Sequence, residues 1–166
     1  MRTLLFISLL LAGQARAAWQ HFEARQVHPL AMTPDGTRLV AADSPSARVT
    51  VYDLSGPAPV RTAQGPGGLE PVTVRARTHD EIWVVNEASD TISIINLGTK
   101  TVVETLRTGD EPTDVLFTAG QAWVACARAN QVRIYDATTR VLKQTVSLNG
   151  IYPHALAVSP DGTRVF

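Results

Sequence analysis

EIWVVNEASDTISIINL, residues 81 to 97, sets apolar side chains at alternate places on either side of a short polar turn, and the chain repeats this phrase twice. TRLVAADSPSARVTVYDL (37 to 54) and QAWVACARANQVRIYDA (121 to 137) are copies in register, with Asp43, Asn86 and Cys126 at one matched position. Pro71, Pro112 and Pro153 mark a second matched position, so the repeat length is about 40 residues. A module of that size copied along a chain must stack on its neighbours, and the repeat therefore decides the fold before any single residue does.

Each copy reads as strands. Val49 and Val51, Ile92 and Ile94, and Val132 and Ile134 are apolar pairs separated by Thr50, Ser93 and Arg133. That period of two belongs to a half-buried strand and not to a helix. The strands before them fall at 39–42, 82–85 and 122–125, with Trp83 and Trp123 in matching places, where a large aromatic fills the wedge between neighbouring sheets.

Turn chemistry agrees. Thr33, Pro34, Asp35 and Gly36 recur as Ser159, Pro160, Asp161 and Gly162, proline pre-setting the first corner and glycine supplying positive φ at the exit. The second unit has Thr78, His79 and Asp80 instead. Outer strands are clearest at 101–106 and 141–146, whereas Ser55, Gly56, Pro57, Ala58 and Pro59 predict a looser edge in the first unit. Glycines 65, 67 and 68 read as a loop between units.

The expected class is all-β, a β-propeller of four-stranded antiparallel blades at about 28–66, 70–110 and 112–150, with a fourth beginning at 153. About three and a half blades make an incomplete ring, because closure takes about 4 to 8. The sequence thus reads as the front portion of a longer protein, with residues 18–27 a candidate outer strand for its last blade. Exposed apolar faces on the end blades predict poor folding or self-association of the isolated chain.

Arg2, the apolar run from Leu4 to Ala12, and Ala15 and Ala17 compose a secretory signal peptide, 1–17, cleaved after Ala17. The run is too short to span a bilayer, so no membrane span is expected and the location is periplasmic or secreted. Gln14 stands where a lipid-modified cysteine would be needed for anchoring. Without Arg2 and Arg16 the 15 basic and 15 acidic residues leave a mature charge of about −2. No basic face with interleaved aromatics occurs, which excludes nucleic acid as the main partner. Cys126 is the lone cysteine and has no partner within the chain, so stability rests on packing.

WVVN (83–86), the turn carrying Asp90, ISIIN (92–96) and LAVSPDGTRVF (156–166) resemble the YVTN family of bacterial β-propeller repeats over nearly all of 28–166. The resemblance implies the propeller and leaves function open, since such folds serve binding scaffolds, lactonases and haem oxidoreductases alike. Cys126 and Asp43 depart from the asparagine at Asn86. The blade order also resembles longer exported propeller proteins, some with a c-type haem domain downstream. No Cys-x-x-Cys-His motif lies here, so no cofactor is visible and haem would belong to sequence beyond these residues.

His28 and His154 occupy equivalent places at the entry of innermost strands, near the mouth of the central channel, and with Cys126 they are the candidate ligand-binding residues. Two histidines fall short of the three or four ligands a metal needs, so no metal site is assigned. Cys126 also reads as a small buried hydrophobe. Asp43, Asn86, Asp53, Asn96 and Asp136 recur at strand ends, where their side chains accept backbone N–H bonds, and together with Trp83 and Trp123 they read as scaffold. No nucleophile elbow, phosphate loop or zinc-protease helix is present, so no catalytic residue is named. The leading expectation is an exported non-catalytic scaffold binding a protein or small molecule at one loop face. The alternatives are the front of an exported redox enzyme and, more remotely, a propeller lactonase.

Overall fold

The computed structural model describes residues 25–166; the expected signal peptide and residues 18–24 lie outside them. Twelve strands form three four-stranded antiparallel sheets. The first holds β1 (Leu30–Met32), β2 (Arg38–Asp43), β3 (Arg48–Asp53) and β4 (Val60–Pro66). The second holds β5 (Pro71–Ala76), β6 (Glu81–Asn86), β7 (Thr91–Asn96) and β8 (Thr101–Arg107), and the third β9 (Pro112–Thr118), β10 (Gln121–Cys126), β11 (Gln131–Asp136) and β12 (Leu142–Ser147). Each sheet pairs its strands in chain order, as consecutive hairpins require. A single helical turn, Glu87–Ser89, joins β6 to β7.

The sheets stack face to face, which explains why the middle strands are apolar on both sides. In β6, Ile82 and Val84 join Val40, Ala42, Val49 and Val51 of the first sheet, while Trp83 and Val85 join Val115, Val124 and Tyr135 of the third. One strand thus feeds two cores, and the alternation decides which side chain serves which neighbour. In β10 the same division sends Ala122, Val124 and Cys126 toward the second sheet and Ala125 toward Leu156. These are blades of a β-propeller, and the described residues make an open arc of it.

The fourth unit contributes a paired segment: Ala157 and Phe166 exchange backbone bonds of 2.9 and 2.8 Å around the 159–164 turn. Gly36 and Gly162 both adopt φ +71°, as the Pro-Asp-Gly turns require. The Asp35 carboxyl is held down to about 2, first by the Thr33 hydroxyl and then by the Thr37 amide.

Two local readings change. Gly65 lies within β4 opposite Val49, so the inter-blade loop is confined to Gly67 and its neighbours. Residues 27 and 28 run beside β5 on the inner side of the arc, with the Val27 amide donating to the Val72 carbonyl and the Val74 amide to that of His28, while most of the outer strand expected over 18–27 lies outside the described residues. A proline-rich approach nevertheless leads into a full outer strand, because Pro57 and Pro59 precede Val60 and leave the ladder donors intact.

Side-chain hydroxyls tie each blade to the next near the axis. Ser44 Oγ donates to the Pro71 carbonyl at 2.7 Å, Thr73 Oγ1 to that of Thr113 at 2.7 Å, and Thr113 Oγ1 to that of Pro153 at 3.2 Å. Buried donors with partners offset their desolvation and fix the register between sheets. On the opposite face, Arg38 reaches Asp80 at 2.8 Å, and Arg140 bridges Glu104 at 2.7 Å and Glu81 at 3.3 Å.

Candidate functional site: the strand-entry face

Three matched positions immediately before β5, β9 and the fourth inner segment are Glu70, Glu111 and Tyr152. All three take left-handed φ, at 52°, 51° and 62°. A non-glycine residue in that region is costly, and its recurrence at one repeat position points to a loop shape imposed by the blade junction. The consequence is that these three side chains rim the same end of the arc.

Glu87 stands at the centre of this end, directly after β6. Its amide donates to the Glu70 carbonyl at 3.0 Å, which anchors the junction. The residue is 9 % exposed, and its Oε2 is buried with no hydrogen-bond partner among the described residues. Burial raises the Glu87 carboxyl to about 7, and the negative charges of Glu111 and then Glu70 add to the effect.

Tyr152 and His154 supply the aromatic wall, their rings stacked at 6.2 Å and 29°. The Tyr152 hydroxyl donates to Glu111 Oε2 at 2.7 Å, and this bond to a carboxylate lifts the phenol to about 12. Arg128 reaches the other Glu111 oxygen at 3.3 Å. His154 Nδ1 is also buried without a partner among the described residues. Arg25, Glu87, Tyr152 and His154 line a recess of about 350 Å³, within the range of small-molecule sites.

Deeper on the inner strands sits a second polar group. Asp114 of β9 is fully buried and accepts from the Val115 and Leu156 amides, each at 2.8 Å. Arg75 of β5 lies 3.5 Å from both its oxygens and 2.9 Å from His28 Nδ1. His28 Nδ1 is in turn 3.2 Å from Asp114 Oδ1. Arg75 only donates, so His28 Nδ1 accepts from it with the ring proton on Nε2, or donates to Asp114 with the proton on Nδ1, and the tautomer decides which contact is the hydrogen bond.

The structure therefore separates the sequence-nominated residues. His28 joins the Arg75–Asp114 group, while His154 lines the recess with Glu87. Cys126 lies in the core between the second and third blades, fully buried, and burial pushes its thiol upward. A side-chain carbon added at Gly109 would meet Cys126 Sγ at 3.0 Å, so the thiol is wedged against backbone. Among the described residues no group of three or more His, Cys, Asp or Glu is placed to hold a metal ion.

The recurrent strand-end residues serve turns. Asp53 accepts from the Ser55 amide, Asn96 from Thr99, and Asp136 from Thr138 and Thr139. Asn86 differs: it accepts from the Gly68 amide at 2.9 Å and donates to Thr91 and Ser93, joining two loops. Trp83 is fully buried, donates to Glu81 and meets the Phe117 ring edge-on at 5.3 Å. Trp123 faces the fourth unit, half-buried, with its indole nitrogen unpaired.

Arg75, Asp114, Glu87, Glu111 and Tyr152 were not singled out by the sequence. Two of them carried a signal, for Asp114 interrupts an apolar inner strand and Glu87 replaces the small Ser44 and Ala127 of the other copies.

No family model matches the chain, and no curated protein matches it in sequence. Among solved structures, the Kuenenia stuttgartiensis hydrazine synthase superposes with a TM-score of 0.77 at 21 % identity, over 89 % of this chain and 44 % of that one. The chain thus spans less than half the length of that structure. Likeness at this identity carries architecture alone, and the architecture is a β-propeller.

Proposed function

We propose that the chain belongs to an exported β-propeller scaffold, of the YVTN-repeat kind, that holds a ligand on its strand-entry face without catalysing a reaction on it. The observation that carries this reading is the recess of about 350 Å³ lined by Arg25, Glu87, Tyr152 and His154, of which Glu87 and His154 each hold a buried polar atom without a partner among the described residues. Buried polar atoms are satisfied in the great majority of cases, so a pair left unpartnered on residues of one recess favours an occupant. The hydrazine synthase likeness supports the fold of this scaffold and does not extend that protein's reaction to it.

The test is a titration of isotope-labelled protein with a panel of small solutes, followed by amide and side-chain NMR. Shifts confined to Glu70, Glu87, Glu111, Tyr152 and His154 are expected. Shifts confined to the opposite loops at 78–80 and 138–140, or none with any solute, would contradict the assignment.

A further inference from the structure

We propose that the recess takes a small organic cation bearing a primary ammonium group, with the Glu87 carboxylate as its acceptor. This rests on the strand-entry face being the ligand-binding face.

Glu87 Oε2 is an acceptor with no donor, buried to more than nine-tenths with its residue. His154 is half-buried, and its Nδ1, itself buried and without a partner among the described residues, accepts when the ring proton is on Nε2. Glu111 and Glu70 both act on Glu87 with charge of the same sign. Arg25 is the one cation on the recess wall against the carboxylates of Glu70, Glu87 and Glu111, so negative charge is in excess, and an ammonium supplies three donors with one charge. Tyr152, stacked on His154, adds an aromatic ring to the same wall, and aromatic faces attract cations.

Competing occupants fit less well. A metal ion needs several converging ligands, and no such group of acidic, histidine or cysteine side chains exists among the described residues. An anion would meet Glu70, Glu87 and Glu111, against Arg25 on the wall and an Arg128 already engaged with Asp110 and Glu111. A neutral solute leaves the repulsion among the carboxylates unrelieved.

Binding is then linked to a proton. Below about 7 Glu87 is neutral, and an arriving ammonium must displace its proton. Affinity for the cation therefore rises with pH and levels off above that value. The groups facing Glu87 are Glu70, Glu111, Tyr152, His154 and Arg25, and the Glu87→Gln variant tests whether the proton linkage belongs to Glu87.

Putrescine, succinate and glucose, each up to about 10 mM, are to be titrated by calorimetry and NMR into the wild-type protein, Glu87→Gln and Glu111→Gln. Putrescine is expected to bind saturably, about tenfold more weakly at pH 6 than at pH 8, and to shift the Tyr152 and His154 signals. Glu87→Gln is expected to abolish binding with its circular dichroism unchanged. Glu111→Gln, at the rim, keeps the site folded, weakens binding a few-fold and moves the pH step downward.

Succinate or glucose binding in place of putrescine would overturn the cation assignment while leaving the ligand-binding face intact. No binding by any of the three would remove both. Persistence of the pH step in Glu87→Gln would assign the titration to another group and overturn the proposal, as would an unmoved step in Glu111→Gln.

Discussion

His28 and Asp114 are 86 positions apart in the chain and 3.2 Å apart in space, Nδ1 to Oδ1, with the Arg75 guanidinium closing the triangle. The lead-in to the first blade's inner strand and the inner strands of the next two blades therefore meet in one polar knot. Asp114 anchors it, because it also receives the Leu156 amide from the fourth unit.

Replacing Asp114 with alanine strands the Leu156 amide and the Arg75 charge beside a fully buried site. The expected loss is about 2 to 4 kcal/mol, read from urea denaturation midpoints. Asp114→Asn keeps an acceptor for one amide and is expected to cost less. Equal and small losses in both variants would mean that the knot does not join the blades.

Trp83 and Trp123 hold matched positions in unmatched surroundings. Trp83→Ala opens a cavity between two complete blades and is expected to cost about 3 to 5 kcal/mol. Trp123, half-buried beside the fourth unit, is expected to cost about 1 to 2 kcal/mol on the same substitution. Chemical denaturation of the two variants checks the order, and reversal of the order would place the tight wedge at the wrong junction.

Cys126 should behave as core. In native protein its thiol is expected to resist a disulfide-exchange reagent, and to react in step with unfolding as urea is added. The physical cause is its full burial against Gly109, together with a thiol held in its protonated form. Rapid labelling of the folded protein would show instead an accessible, functional cysteine.

Glu87 makes stability depend on pH in an unusual direction. Its folded value, about 7, exceeds the ordinary 4.5, so the folded state holds a proton that the unfolded state has released. The contribution is complete below 4.5 and is lost as pH rises through about 7. Against Glu87→Gln, wild-type midpoints are expected to fall across that window and to run parallel above it. Asp35 has the opposite sign: held down to about 2, it favours the folded state above 3.8 and loses that contribution on acidification.

The blades were legible because their information is local. Alternation at Ile92 and Ile94, the glycine turns at Gly36 and Gly162, and the spacing of Pro71, Pro112 and Pro153 are properties of neighbours in sequence. The site was not, because its members belong to different copies. Glu87 is perturbed by Glu111 and Glu70, and His28 by Arg75 and Asp114, contacts that exist only after sheets stack. Alignment of the copies placed His28 and His154 at one repeat position, yet equivalence within a repeat does not bring residues together around an arc.

The pH at which the Glu87 carboxyl titrates tests the account most directly, since it registers burial, Glu70 and Glu111 at once. Carbon-13 NMR of the labelled side chain should give a midpoint near about 7, falling in Glu111→Gln. A midpoint near the ordinary 4.5, unmoved by that substitution, would mean that the three blade junctions do not converge on a shared recess.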